Sequence, residues 1–262
     1  MDRLCVTADD FGLCPEINEA VLRLHDAGVV NRTSVIANGG FFEESVRQLS
    51  SRPGLEAGIH LNLTDGRPVA AARSLVNAEG NFIGGRHYGV AWGVLTGAFK
   101  IGDIASEWRA QIRKLRDSGI RVRHLNAHGH LHLLPALHGI VADLLGEFQI
   151  PYVRLVLSAR SARTFVFDRL SRGLLRTLRD RGIQADYPTQ ILGITSQGRL
   201  NKTLILSELR RPATGTVELI VHPASAGNAY HKAWGYRTGG ELESLLDPEV
   251  VQMIRSRVSQ RG

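Results

Sequence analysis

Carboxylates and imidazoles stand directly behind four strand-like runs of this sequence. Because the carboxyl ends of parallel strands meet at one mouth of an α/β barrel, where active sites are built, we expect these side chains to converge. A convergence of carboxylates and imidazoles alone is typical of a metal hydrolase. The runs and the residues behind them are 4–8 with Asp9 and Asp10, 57–59 with His60, 122–127 with His128, and 217–221 with His222.

One metal ion explains most of these residues. If the backbone turns at the first strand end, one of the adjacent carboxylates of Asp9 and Asp10 can ligate a cation while the other accepts a proton. His60 and His128 complete a set of one carboxylate and two imidazoles that leaves room for water, as in catalytic zinc sites. Other divalent ions suit these ligands, so Zn²⁺ and Mg²⁺ both remain candidates. The alternative is a pair of helix-capping aspartates with histidines that are hydrogen-bonded in the core.

His128 belongs to a cluster of four histidines within nine residues, 124–132. Their alternate spacing puts them on one face if the strand continues past residue 128. We predict that one or two of them reach the metal. We place His130 and His132 behind the metal or facing the substrate, and His124 deeper in the barrel.

Two further side chains, His222 and Arg154, have candidate roles near the same mouth. An imidazolium at neutral pH can give a proton to a departing amine, so His222 is the predicted general acid, across the mouth from the aspartates. A His-Pro turn that caps the strand is the alternative. Arg154 interrupts an apolar strand, where it orients Asp9, binds oxygen atoms of the substrate, or forms a structural ion pair.

Strand-like and helix-like patterns alternate along the whole chain and predict parallel β/α units, which we interpret as one distorted α/β barrel of about seven strands. No linker divides the sequence, so we predict a single domain over residues 1–262. Two stretches, 64–101 and 223–239, do not fit the alternation, and we interpret them as the rim or lid of the mouth. The predicted strands are 3–8, 33–37, 56–63, 121–127, 152–157, 188–192 and 216–221.

Composition limits the partners of this 262-residue chain. Its formal charge is +7, and seven arginines against two aspartates fall between residues 158 and 183. We interpret 163–181 as an outer barrel helix with its apolar stripe on the sheet, with contact to an anionic membrane or a phosphorylated substrate as the alternative. Nucleic-acid binding is disfavoured, because the arginines are not interleaved with aromatic residues. Two cysteines and no secretory pattern favour the cytoplasm, and exposed barrel helices are compatible with a homodimer.

The motifs resemble those of the YdjC-like carbohydrate deacetylases. The resemblance covers most of the chain and implies a distorted (β/α) barrel that removes acetyl groups from N-acetylated sugars with one divalent cation. It also implies that Asp10, His60 and His128 ligate the metal, that Asp9 is the base and that His222 is the acid. The matching stretches are Thr7-Ala8-Asp9-Asp10-Phe11-Gly12, Gly58-Ile59-His60-Leu61, Asp65-Gly66-Arg67-Pro68, residues 126–132 and His222-Pro223.

Asn126-Ala127-His128 departs from the Asp-Ser-His form of the chito-oligosaccharide branch and is more similar to the branch associated with hopanoid biosynthesis. The hypothesis is therefore a metal-dependent N-deacetylase acting on an N-acetyl-hexosamine unit of a glycan or glycolipid. One alternative is a barrel metallohydrolase of phosphoesters, which the positive charge favours but for which only one metal site is visible. Another is a carbohydrate- or lipid-binding barrel without catalysis.

Overall fold

A single sheet of parallel strands organises the structure, a computed structural model that describes residues 3–157, 161–225 and 228–258. Within those ranges the sheet has six strands in the order β4-β3-β2-β1-β6-β5 and curls into a half-barrel. Its strands are β1 (Arg3–Phe11), β2 (Arg32–Val35), β3 (Glu56–Leu61), β4 (Leu125–Ala127), β5 (Gln190–Leu192) and β6 (Thr216–Val221).

Helices separate the strands and cover the sheet. Helices α1 and α10 pack against β1, and α4 packs against β3, where it buries Trp108 and Ile104 completely. The bounds are α1 (Pro15–Asp26), α2 (Phe42–Ser50), α3 (His87–Leu95), α4 (Ile101–Asp117), α5 (His138–Phe148), α6 (Ala162–Asp180), α7 (Lys202–Leu209), α8 (Ala229–Ala233), α9 (Thr238–Leu245) and α10 (Pro248–Val258), with 3-10 turns at Arg73–Leu75, His128–Leu133 and Pro135–Leu137.

The prediction of a closed barrel with seven strands is wrong, although the α/β class and the parallel order are confirmed. The strand expected at 152–157 is an extended segment that makes isolated bridges, to Leu125 on one side and to Asp186 on the other. Its ladder stops early because the backbone N–H of Val156 donates to the Ser171 hydroxyl rather than to a neighbouring strand. The segment still carries Arg154 towards the site.

β1 changes direction at its two aspartates. Its pairing register with β2 shifts between Ala8 and Phe11, and Asp10 adopts a left-handed backbone with φ of 68°. A non-glycine residue in this conformation costs roughly 1–3 kcal/mol and is concentrated at functional sites. The irregularity turns both carboxylates towards His60. The Nδ1 atom of His60 lies 4.0 Å from Asp9 Oδ1, and its Nε2 atom lies 3.3 Å from Asp10 Oδ1.

β4 ends directly before His128, so the histidine cluster does not continue as a strand. Gly129 and His130 take left-handed φ angles of 62° and 58° and lead into the 3-10 turn. A Cβ on Gly129 would lie 2.4 Å from the Cβ of His87, so a side chain there would push away the start of α3. The strand does not continue past residue 128, so the condition for residues 124–132 to share one face is not met.

α6, the helix with the arginine excess, buries its inner side. A capping box joins Ser161 and Thr164 at its start, and Leu174 and Leu178 are buried in the core. The apolar stripe of this helix is thus used for packing within the chain. In the described ranges, no helix has the length and apolar character needed to cross a membrane.

Candidate active site

Asp10, His60 and His128 meet at the carboxyl ends of β1, β3 and β4. The Asp10 Oδ1 atom lies 2.9 Å from His128 Nδ1 and 3.3 Å from His60 Nε2, and the two imidazole nitrogens lie 3.3 Å apart. Within the described ranges this is the one group of three metal-binding side chains whose ligand atoms all lie within 4.8 Å of one another. All three are buried.

The amide of Asn126 fixes the tautomer of His60. Its Nδ2 donates to Asp9 Oδ1 at 3.2 Å and to the Ser34 hydroxyl at 2.9 Å. Its Oδ1 therefore faces His60 Nδ1 at 2.6 Å and accepts a hydrogen bond from the Nδ1–H group. The Nε2 atom of His60, which carries no proton in this tautomer of the neutral ring, points at Asp10 and His128, as in a metal-ligating imidazole.

These residues fit a divalent cation. Burial acts against the ionisation of Asp10, but His128 and further hydrogen bonds outweigh it, so the pKa of Asp10 is held well below its usual range. Burial lowers the pKa of His128, but the nearby Asp10 carboxylate outweighs it, so the pKa of His128 is raised. The two groups share a proton in the place where a cation would bind, and metal binding displaces such protons.

Asp9 lies next to this group but has different partners. Arg154 donates from Nη1 to Asp9 Oδ2 at 2.6 Å and from Nη2 to Asp9 Oδ1 at 3.0 Å. Burial opposes ionisation, yet the guanidinium keeps the pKa of Asp9 far below its usual value. Glu218 holds Arg154 from the other side at 2.8 Å and accepts a hydrogen bond from Tyr152. Arg154 therefore positions an ionised Asp9.

His222 is a neighbour of Asp9 rather than its counterpart across the mouth. β1 and β6 pair directly, with Ala8 opposite Val221, so His222 Nε2 comes to 3.8 Å from Asp9 Oδ2. Burial lowers the pKa of His222 to about 4. Burial therefore favours the neutral imidazole rather than the imidazolium expected at neutral pH, and a neutral His222 must acquire a proton before it can give one.

A cleft of about 290 Å³ opens above these groups. We call Asp9, Asp10, His60 and His128 the floor of the site, and α3 together with residues 228–237 its rim. The cleft is lined by three floor residues, Asp9, His60 and His128, together with Ala127, Gly129, His130, Phe167, residues 195–197, Arg199, His222, and the rim residues Arg86, His87, Tyr88, Trp234 and Tyr236.

His130 and His132, which were predicted to lie behind the metal or to face the substrate, occupy different places in the structure. His130 lines the cleft, where its Nε2 lies 3.0 Å from the Gln197 amide nitrogen and its ring packs on Phe167. His132 lies below the cleft and donates from Nε2 to the backbone carbonyl of Arg154 at 2.8 Å. Neither His132 nor Arg154 lines the cleft, because the left-handed turn after β4 sends residue 132 inwards and Arg154 is enclosed by carboxylates.

Sequence reasoning missed three rim residues and the role of Asn126. His231 Nε2 lies 3.1 Å from Asp10 Oδ2. The ring of Trp234 meets His128 edge-on, with centroids 4.7 Å apart, and Tyr236 packs similarly on His222 at 5.1 Å. No strand end precedes these residues, and the available signal was the cluster of aromatic and histidine residues within the predicted rim at 223–239.

A model of YdjC-like proteins matches residues 3–256 of this chain. The chain belongs to the YdjC-like family. A carbohydrate deacetylase of Geobacillus stearothermophilus is 37% identical over 98% of this chain and 95% of that protein. A human carbohydrate deacetylase is 30% identical over 84% of this chain and 74% of that protein. The match to the carbohydrate deacetylase of Oceanobacillus iheyensis is shorter, with 33% identity over 57% of this chain and 63% of that protein.

A solved structure has a similar fold. A protein of Enterococcus faecalis, described as a candidate cellobiose-phosphate cleavage protein, superposes with a TM-score of 0.76. Its sequence is 24% identical, over 98% of this chain and 95% of that chain. This likeness supports the curled α/β architecture that carries the floor residues.

Proposed function

We propose that this YdjC-like protein is a metal-dependent carbohydrate N-deacetylase that removes the acetyl group from an N-acetyl-hexosamine unit. The observation that carries the proposal is the meeting of Asp10, His60 and His128 beside Asp9 at the floor of an open cleft. Curated relatives aligned along nearly the whole chain are carbohydrate deacetylases, which supports this class of reaction.

Asp10, His60 and His128 would hold one divalent cation, Zn²⁺ or Mg²⁺. When bound, such an ion polarises a carbonyl and makes water a stronger nucleophile at neutral pH. The protein supplies the orientation of the ligands: Asn126 fixes the tautomer of His60, and His231 accompanies the second oxygen of Asp10. The acetamide group would enter from the cleft between the floor and the rim.

Asp9 would act as the base. Water attacks the acetamide carbonyl carbon, Asp9 accepts the proton that the water releases, and the C–N bond then breaks. A carboxylate with a strongly lowered pKa is a weak base, so its contribution depends on position as well as on basicity. Arg154 provides that position through two hydrogen bonds to the carboxylate.

His222 would protonate the leaving amine. Because it is neutral on its own, the proton that Asp9 has received is the natural source, and the two groups lie 3.8 Å apart. Transfer from Asp9 to His222 and then to the amine balances the reaction, with acetate and the free amino sugar as products. The neutral resting state of His222 is consistent with this order of proton transfers.

The residue at position 126 bears on which class of N-acetylated substrate the protein uses. Asn126 in place of an aspartate points towards the hopanoid-associated branch and hence to a glycolipid, with a soluble glycan as the alternative. A chain with only two cysteines fits a cytoplasmic protein. A homodimer stays a prediction.

The test is acetate release from N-acetylglucosamine-containing oligosaccharides and glycolipids by metal-loaded protein, before and after treatment with a chelator. We expect release that stops with the chelator and returns with Zn²⁺ or Mg²⁺. A parallel assay with a generic phosphoester covers the phosphatase alternative, which Arg86 and Arg199 at the cleft favour. Metal-dependent phosphate release without acetate release would reject the deacetylase, and glycan binding without turnover would indicate a non-catalytic barrel.

A further inference from the structure

The outer face of α3 exposes large apolar side chains. Tyr88, Trp92 and Leu95 lie at intervals of four and three residues, which places them on one side of the helix, and they are 74%, 69% and 78% exposed. The opposite side of α3 buries Val90 and Val94. A short helix that is apolar on both sides is typical of an interaction surface, since an ordinary surface helix has a polar outer side.

This surface borders the mouth of the cleft. Tyr88 lines the cleft on the α3 side, and Phe167 of α6 lines it elsewhere. Next to Phe167, at the start of α6, the side chains of Phe165 and Val166 are 53% and 55% exposed. Both helices pack on the 3-10 turn that follows β4, and each contributes a side chain, Tyr88 or Phe167, to the lining of the cleft.

The charges around α3 are positive. Residues 82–102 contain no aspartate or glutamate. Arg86 directly precedes α3, Lys100 lies five residues after its end, and both are exposed. Arg86 donates to the backbone carbonyl of Ala233, and its guanidinium carbon lies 5.9 Å from the centroid of the Trp234 ring. An apolar helix flanked by cations matches an anionic lipid surface, where tryptophan and tyrosine sit at the level of the headgroups.

We propose that the exposed face of α3, formed by Tyr88, Trp92 and Leu95 with Arg86 and Lys100 beside it, docks on the surface of an anionic lipid bilayer. In this orientation the cleft opens towards the lipid headgroups. The docking itself does not depend on the proposed deacetylase activity. Its consequence for activity does: an N-acetylated glycan presented at a bilayer surface would be delivered to the floor of the site.

A second copy of the chain fits this face less well. A two-fold contact through α3 would bring Arg86 of both copies to one interface, and residues 82–102 offer no carboxylate to neutralise it. Such a contact would also cover the cleft at Tyr88, which lines its mouth. An anionic bilayer supplies the missing negative charge. A substrate attached to a lipid of that bilayer would remain within reach of the cleft.

The experiment is co-sedimentation of the full chain with vesicles of phosphatidylcholine alone and of phosphatidylcholine mixed with phosphatidylglycerol. We expect binding to the anionic vesicles that weakens with salt, and a loss of affinity of about tenfold or more in Trp92→Ser/Leu95→Ser, since two large apolar contacts are removed. Leu204→Ser, at an exposed apolar position on α7 outside the cleft lining, is the matched control and should bind as the parent protein does.

Several outcomes would overturn the proposal. These are no binding to anionic vesicles, equal binding to both kinds of vesicle, or binding that survives Trp92→Ser/Leu95→Ser. Concentration-dependent dimerisation that this variant abolishes would identify a second copy as the occupant. Unchanged thermal unfolding shows that the variant is folded. Acetate release from a soluble oligosaccharide is measured separately, so that a failure of the proposed function does not alter the vesicle result.

Discussion

The floor and the rim of the cleft are built on opposite principles. Each floor side chain is carried on or directly after a parallel strand and is buried, and most of the polar atoms of the floor are held by neighbours such as Arg154 and Asn126. The rim is carried on short helices, and its α3 exposes Tyr88, Trp92 and Leu95. A buried floor keeps the reacting groups in place, while the more exposed rim decides what approaches them. The chemistry and the choice of partner should therefore respond to different substitutions.

Removal of a proposed ligand should have the largest effect. His128→Ala leaves two metal-binding side chains, so we expect metal affinity to fall by more than the roughly 10–100-fold seen for indirect contacts and acetate release to become undetectable. Elemental analysis after dialysis and an acetate assay measure the two quantities. His25→Ala, outside the cleft, serves as control. Full metal occupancy in His128→Ala would remove His128 from the ligand set and break the contrast between floor and rim.

The contrast also explains what could be predicted from the sequence. Strand ends at Asp9, Asp10, His60 and His128 follow from the alternation of strands and helices, because parallel strands share one carboxyl edge. The rim residue His231 has no such marker, since it follows the N-cap Asn228 within a short helix after an irregular segment.

Which strands pair with each other is harder to predict from the sequence than where each strand ends. Asn126 reaches His60 because these two residues pair across β3 and β4, and His222 reaches Asp9 because β6 pairs with β1. Strand order and register depend on the tertiary packing of the sheet and are not visible in a single run of sequence. For the same reason, the sequence predicts a larger sheet than the structure has. Residues 152–157 have the apolar composition of a strand but make only isolated bridges to their neighbours.

Asp9→Asn should separate catalysis from metal binding within the floor. We expect kcat to fall roughly 10²–10⁴-fold, the usual contribution of a general base, with metal occupancy unchanged because Asp9 is not a proposed ligand. Steady-state acetate release and elemental analysis provide the two readouts. Asp26→Asn, which touches a surface ion pair with Arg52, is the matched control. If Asp9→Asn kept full activity, the base would have to be sought elsewhere.

Asn126 contacts both His60, a proposed metal ligand, and Asp9, the proposed base. We therefore expect its substitution to have an effect of intermediate size. Asn126→Ala removes the acceptor of His60 Nδ1–H, and we expect metal affinity to fall roughly 10–100-fold, as for other groups that orient ligands. Isothermal titration calorimetry measures the affinity, and ¹⁵N spectra of the imidazoles report the tautomer of His60. Asn77→Ala, in the turn at residues 77–81, is the control. An unchanged affinity together with an unchanged tautomer would show that Asn126 is not needed for this orientation.

Glu241 on α9 should have the smallest effect on turnover and a measurable effect on stability. It accepts hydrogen bonds from the backbone N–H groups of His222 at 2.6 Å and Leu200 at 3.2 Å, and so joins the edge of the floor to the elements behind it. Burial outweighs these two bonds and raises the pKa of Glu241 from 4.5 to about 7. The folded protein therefore holds this proton more tightly than the unfolded chain does.

A raised pKa in the folded state stabilises the protein fully below about pH 4.5, and this contribution is lost as the pH rises to about 7. The loss is on the order of 3 kcal/mol at most, from 1.36 kcal/mol per pKa unit. We expect Glu241→Gln to flatten the decrease in unfolding temperature across this interval, measured by circular dichroism. Glu243→Gln, exposed on the same helix, should keep the slope of the parent protein. The same slope in both variants would place the titrating group elsewhere and leave the burial of Glu241 without a thermodynamic signature.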